Sequence, residues 1–179
     1  MQETNLYTVT IPVMMKALRA LDNILDKADE AAREKATERR PAAYFENALL
    51  QSRLVFDQFP FLQQIQVACD NAKALASRLA EVEMPKFEDS ETTVAHLKAR
   101  IKKTLAFLET IKEEQIIGKE NLHISLPYWS GKHLTAFEYV TEQALPNFFF
   151  HVTTAYAILR HNGLKLGKSD YIGGLPLKD

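Results

Sequence analysis

The sequence predicts an all-α protein: a four-helix bundle with a small β-hairpin before the last long helix. Three observations lead there. Four separate stretches repeat apolar residues at steps of three and four, the period of an amphipathic helix. One stretch only, near residues 120–140, alternates apolar with polar residues in strand period. Glycine is scarce, six in 179 residues, which disfavours folds built from many tight turns.

The first long helix runs from about residue 9 to residue 30. Met14, Leu18, Leu21, Leu25 and Ala28 form its inward stripe, and Lys16, Arg19, Asp26 and Glu30 its outer face. Pro12 fits in the first turn, where its missing N–H costs nothing. Residues 31–41 read as a fraying helix end and a linker, and residues 42–56 as room for a short helix. Pro60 opens the second long helix, whose stripe is Phe61, Ile65, Ala68, Ala72, Leu75 and Leu79. Cys69 lies beside that stripe as a small core residue. Residues 87–93 (FEDSETT) are a helix-start signal, with Asp89 or Ser90 as the cap and Glu88 and Glu91 suited to the positive end of the dipole. The third long helix then turns Val94, Leu97, Ile101, Leu105, Leu108 and Ile111 inward, and Lys98, Arg100, Lys102 and Lys103 outward as a solvated basic face. Leu122, Ile124 and Leu126 alternate, and Trp129–Lys132 reads as the turn of a hairpin, with Leu134 and Phe137 following. The last long helix starts near Thr141 or Glu142, holds Pro146 in or before its first turn, and stops at Asn162-Gly163. In the tail, Tyr171, Ile172, Leu175 and Leu177 are available to pack on the body.

Hydrophobic residues make up 46% of the chain and charged residues 25%, the balance of an ordinary soluble globular protein. The length fits one domain, 1–179. Lys plus Arg number 22 against 23 Asp plus Glu, a net charge of -1, so the basic field that drives non-specific nucleic-acid binding is missing. No apolar run approaches the roughly 20 residues that span a bilayer, and the first residues do not read as a signal peptide. With one cysteine there is no intrachain disulfide, which suits a reducing compartment. The expectation is a cytoplasmic protein with neither nucleic-acid nor membrane partners.

The last long helix carries the chemistry. At about 100° per residue, Asn147, His151, Thr154, Ala155 and Ile158 share one side. A bundle helix ordinarily turns aliphatics inward, whereas this side holds an amide, an imidazole and a hydroxyl. Phe149, Val152, Tyr156 and Leu159 form the other flank. Only Thr153 and Arg160 are left for solvent, so the helix is expected to be covered on two sides, by the bundle and by the hairpin, the tail or a second subunit. A buried histidine needs a partner or loses its charge. Asn147 and His151, at i and i+4, would be two corners of a polar pocket with His151 as its catalytic group. That spacing also lets one helix offer two ligands to a metal, although Asn is a poor zinc ligand. From the second long helix, Asp57 and Gln64 would face them as ligand-binding groups, provided the helix continues through Phe59-Pro60; otherwise Asp57 is an N-cap. Asp70 projects to the outer side. His96, His123, His133 and His161 fall on an exposed face, in or beside the hairpin and at a helix end. No CxxC, HExxH, GxxxxGK or GxSxG motif occurs.

The helix pattern, the hairpin and the stretches ALPNFFFHVTTAYAILRHNG, FEDSETT and QVACDNAK resemble the DinB/YfiT-like four-helix superfamily, and within it a bacterial branch of unknown function, over nearly the whole chain. The resemblance implies a divalent metal bound by three histidines, one on the second helix and two spaced by four on the last. Matched by spacing, His151 takes the second of that pair and Asn147 the place of the first. Thr154 takes a glutamine position, and Arg160 and Gly163 later Arg and Gly positions. No histidine precedes residue 96, so two of the three implied ligands are missing. Active members of the superfamily are similar to thiol-dependent transferases and isomerases.

Three functions follow. The first is a DinB-like protein without the three-histidine metal, whose pocket around His151 takes a small molecule. The second is a metal-dependent thiol transferase or isomerase with His151 and a substituted ligand set holding zinc or nickel. The third is a non-catalytic homodimeric structural protein, and a homodimer is compatible with the other two. The sequence names no reaction.

Overall fold

The computed structural model describes residues 4–178. In chain order the elements are α1 (Ile11–Glu34), α2 (Ala42–Leu50), α3 (Phe61–Ala80), α4 (Val94–Thr110), β1 (His123–Ile124), β2 (Leu134–Thr135), α5 (Ala136–Glu138), a π-helical turn (Tyr139–Ala144), α6 (Leu145–His161) and α7 (Lys168–Ile172). Helices α1, α4, α3 and α6 make the bundle. α3 lies at its centre, packed most extensively on α6 and then on α4, while α1 closes the far side against α4 and carries α2 and α7.

The apolar stripes account for this packing. Met14, Leu18, Leu21, Leu25 and Ala28 of α1 are buried, as are all six stripe residues of α3. Each fully buried Leu, Ile or Phe among them contributes about 1.5–3 kcal/mol, and no helix of the four would be stable without the others. Along α4 the stripe holds with one change: Leu105 is half-buried, and Thr104 beside it goes inside, its hydroxyl bonded to the Arg100 carbonyl at 3.0 Å. Cys69 is fully buried against Thr104, and burial pushes its thiol up to about 12, which leaves it a core residue with no nucleophilic character.

Prolines and a glycine set the helix ends. Pro12 stands in the first turn of α1. Pro60 is the extended N-cap of α3. α6 ends at Gly163, whose φ of 87° no other residue adopts cheaply, and Leu164 N–H closes back on the Leu159 carbonyl at 3.1 Å. The start of α6 differs from the prediction. The chain is already helical at Ala136, where Thr135 and Glu138 form a reciprocal capping box. It then widens into the π turn, in which Leu145 N–H reaches the Val140 carbonyl five residues back. Pro146 explains the widening. It has no N–H to give the Glu142 carbonyl, and its ring would press on that carbonyl in a regular α-helix. Phe137 therefore belongs to a helical turn rather than to the hairpin. The hairpin is also shorter than predicted. His123 pairs with Thr135 and Ile124 with Leu134, while Leu122 and Leu126 lie outside the ladder, Leu126 directly before Pro127. The tail is only partly packed: Tyr171 sits edge-on against Tyr156 with its hydroxyl 2.8 Å from that of Thr153, but Ile172, Leu175 and Leu177 are exposed.

Two further departures concern charge. The cap of α4 is Thr93, whose hydroxyl accepts from His96 N–H, and not Asp89 or Ser90. Asp89 is occupied elsewhere: it pairs at 3.0 Å with Arg100. Arg100 does not belong to the solvated face. It is 2% exposed and bonds Asp70 at 2.9 Å, Glu91 at 3.0 Å and the Glu88 carbonyl at 3.1 Å. Asp70, placed on the outer side, also receives Lys73 at 2.9 Å. Lys98 pairs with Asp22 and Asp26 of α1, so Lys102 and Lys103 are what is left of the exposed basic face. Through Arg100 and through Lys73, which donates to the Pro85 carbonyl at 3.1 Å, the irregular strap of residues 81–93 is tied onto α3 and α4. Burial alone would raise the Glu91 carboxyl, but hydrogen bonds from Gln66 and Arg100 outweigh it and hold the group below its ordinary range. Arg100→Ala is predicted to cost about 3 kcal/mol in urea unfolding, because it leaves Glu91 without its cation. It should also open residues 81–93 to proteolysis under native conditions; a strap that stays protected would contradict this account.

Candidate functional site

The contact between α3 and α6 is not purely apolar. Gln64, Asn71 and Arg78 follow one another at steps of seven along α3, two helical turns each, and so share a face. Each meets a polar group from the α6 side. Gln64 Oε1 is 2.7 Å from His151 Nδ1, Asn71 Oδ1 accepts from Asn147 Nδ2 at 3.2 Å, and Arg78 donates to the Tyr139 hydroxyl at 2.9 Å. The partners descend in number as the α3 residues rise, so the two elements run antiparallel. The step from 147 to 139 spans the π turn, which brings Tyr139 into line.

The first rung has one chemical reading. Gln64 is fully buried, and its Nε2 donates to the Phe59 carbonyl at 2.9 Å. A carbonyl only accepts, so the Gln64 nitrogen is fixed and its Oε1 must be an acceptor too. His151 Nδ1 therefore carries the proton, and Nε2 holds the free lone pair. His151 is 7% exposed, and burial lowers its basicity below the ordinary histidine value. It is a neutral imidazole of fixed tautomer.

The second and third rungs open on a cavity of about 480 Å³. Its walls are α3 (Asp70 to Arg78), the strap (Met84 to Phe87), the segment Leu126–Tyr128, the π turn and Asn147. Burial pushes the Tyr139 phenol above its ordinary value in spite of Arg78, so it stays protonated and its oxygen accepts. Asn71 Nδ2 is buried and has no hydrogen-bond partner.

Of the residues singled out in the sequence, Gln64 and His151 are joined directly. Asn147 lines the cavity; His151, Gln64 and Thr154 are not among its lining residues, and Thr154 is buried one turn beyond His151. Asp57 lies apart. α3 begins only at Phe61, because Pro60 holds its own ψ at 165° and has no N–H to continue a helix backwards. Asp57 thus sits exposed in the turn before Pro60, neither on the seam nor capping. Phe150, Thr153, Arg160 and His161 are the exposed residues of the middle and end of α6; Tyr171 covers the flank at Tyr156 and Thr153. His123 and His133 stack on each other in the hairpin at 4.0 Å. Sequence reasoning missed Asn71, Arg78 and Tyr139. The step of seven from Gln64 was available as a signal for the first two.

The donor set does not suit the three-histidine metal that the resemblance implies. In the first two rungs the groups facing one another are one imidazole and three carboxamides, and the third rung pairs a guanidinium with a phenol. The imidazole nitrogen nearest α3 is protonated and bonded to Gln64, and neutral amides are weak ligands for zinc or nickel. Among the described residues, no three His, Cys, Asp or Glu side chains converge as a metal site.

The fold and this seam define a DinB-like helical bundle with an amide-rich site. The crystal structure of a DinB family member protein from Shewanella denitrificans, at 1.83 Å resolution, superposes with a TM-score of 0.89 at 43% sequence identity, covering 97% of this chain and 95% of that one. The family model described as domain of unknown function (DUF1993) matches residues 6–172, and the chain belongs to that family. No curated protein matches the chain.

The His151–Gln64 pair makes a prediction in pH. A histidine held neutral by the fold binds fewer protons there than in the unfolded chain. Its contribution is complete above the unfolded value near 6.5 and is lost as the pH falls from there through the lowered folded value. Wild-type stability should fall on acidification over that range, and His151→Leu should flatten its histidine-dependent part. The imidazole nitrogen NMR signals should report the Nδ1–H tautomer at neutral pH; an Nε2–H signal would contradict the assignment.

Proposed function

We propose that this protein is a metal-independent, DinB-like binding protein for a small polar molecule, and that its site is the cavity at the Asn147 end of the α3–α6 seam. The observation that supports this best is Asn71. Folded proteins seldom bury a donor without a partner, and each such group costs about 1–3 kcal/mol. Asn71 Nδ2 is such a group, on a residue that lines the cavity. The nitrogen is closed to solvent in the empty protein, so a ligand acceptor reaches it once the Asn71 amide turns toward the cavity, and part of the cost borne by the empty protein then becomes affinity in the complex. The π turn fits the same reading. It costs a stretch of regular helix, and Tyr139, Gln143 and Ala144, three of its six residues, line the cavity. His151 then serves as an anchor one turn from the site: with Gln64 it fixes the distance and rotation between α3 and α6, and so the position of Asn147.

The test is a metabolite library read by thermal shift on wild type and on the double variant Asn71→Leu/Asn147→Leu. Two polar groups leave the seam together, so the variant should be as stable as wild type or more so, by about 1–3 kcal/mol. Every ligand-induced rise in melting temperature should disappear with them. Rises that persist unchanged in the double variant would place the site elsewhere.

A further inference from the structure

We infer that the ligand of this cavity is an organic oxyanion, a carboxylate or phosphate carried on an apolar or aromatic body. This rests on the cavity being a ligand site, as proposed above, and adds the chemical class. The charged residues lining it are Asp70, Lys73, Arg78 and Lys86. The one carboxylate is already satisfied twice over, by Lys73 and by Arg100, each at 2.9 Å. Lys73 is likewise committed: it is 2% exposed, bonded to Asp70 and to the Pro85 carbonyl, and seated over the Phe87 ring at 3.8 Å. Arg78 is different. Among the described residues it forms no ion pair, and its side-chain partner is the neutral hydroxyl of Tyr139. A guanidinium has five N–H donors in a planar fork that matches the two oxygens of a carboxylate or phosphate. Lys86, also without an ion pair among the described residues, stands exposed in the same wall.

The cavity thus holds a surplus of positive charge in a chain whose net charge is -1. Low-dielectric walls concentrate such a field on whatever enters. Asn71, which lines the same cavity, has a buried amide nitrogen without a partner. The remaining surface is apolar and aromatic, from Met84, Leu126 and Tyr128, with Met84 and Tyr128 exposed at the rim. Cationic and amide donors inside and an aromatic rim outside suit a molecule with an anionic head and an apolar body. A cation meets an uncompensated guanidinium there, and a neutral polar molecule leaves it unpaired.

The experiment uses the intact 15N-labelled protein and three probes of one shape: phenylacetate, phenyl phosphate and the neutral phenylacetamide. The side-chain amide signals of Asn71 and Asn147 and the Arg78 Nε–H signal are followed during titration. At least one of the two anions should shift them, binding about tenfold or more tightly than phenylacetamide; the stronger anion tells carboxylate from phosphate. Arg78→Gln should remove that preference and Arg78→Lys should retain part of it, since a charge-assisted hydrogen bond contributes about 1.5–3 kcal/mol, roughly tenfold to a hundredfold in affinity. Phenylacetamide binding as tightly as the anions, or a preference for the anions that survives Arg78→Gln, overturns the oxyanion inference and leaves the cavity as a ligand site. Anions that leave all three signals unmoved at millimolar concentration overturn it as well. The double Leu variant of Asn71 and Asn147 separates the two claims: a neutral-probe shift of the Arg78 Nε–H signal that is present in wild type and lost in that variant keeps the cavity while the anion falls.

Discussion

The polar seam between α3 and α6 is the constraint on which the rest of the site depends. A central bundle helix is under pressure to be apolar on every buried face, yet toward α6 the α3 helix presents Gln64, Asn71 and Arg78. Each of the three bonds a polar group from the α6 side. Those bonds lock rotation and register together. A slip of α6 by one residue would leave Gln64 Oε1 and His151 Nδ1 unbonded, and a buried hydrogen-bonding group left unmade costs about 1–3 kcal/mol. The π turn follows from the same demand: with Pro146 fixed in the first turn of α6, the wider turn is what sets Tyr139 over Arg78.

A second set of interactions builds the outer wall. The strap of residues 81–93 has no regular secondary structure, and its backbone carbonyls would be poorly held without Lys73 and Arg100. Burying a guanidinium is expensive unless its hydrogen bonds are met. Here Asp70, Asp89 and Glu91 surround it and the Glu88 carbonyl adds a fourth acceptor, though its Nε stays unpartnered. Asp70 links the two systems, since it holds Arg100 on one side and Lys73 on the cavity side. Among the described residues, Asp70 is the one carboxylate lining the cavity, and because the strap network holds it, Arg78 is left without an ion pair.

The bundle was legible because its signals are local and redundant. Each long helix shows its stripe over about three turns or more, and Pro12, Pro60 and Gly163 mark ends by their own backbone limits. The Gln64–His151 contact was within reach for a related reason: both residues sit on inward stripes of helices bound to pack. What the sequence hid depends on neighbours distant along the chain. Arg100 has the spacing of an outer-face residue and is buried only because the strap folds back over it. Asp57 misled because its place on the seam required α3 to pass through Pro60. Asn71 and Arg78 carry their step of seven plainly, yet polar residues at such a step are ordinarily a solvated face, and only the docking of α6 and its π turn brings them their partners Asn147 and Tyr139.

We propose that the seam also sets this chain apart from the three-histidine metal site that the resemblance implies. Where that arrangement needs imidazoles, this one has carboxamides, and its single histidine is already bonded through the nitrogen that faces α3. Metal content by mass spectrometry tests this most directly: untagged protein as purified, then after loading with zinc or nickel and desalting, with His151→Ala beside wild type. No stoichiometric metal is expected in either protein after desalting. One retained equivalent that His151→Ala removes would contradict it, and would mean that the amides and the imidazole rearrange around an ion.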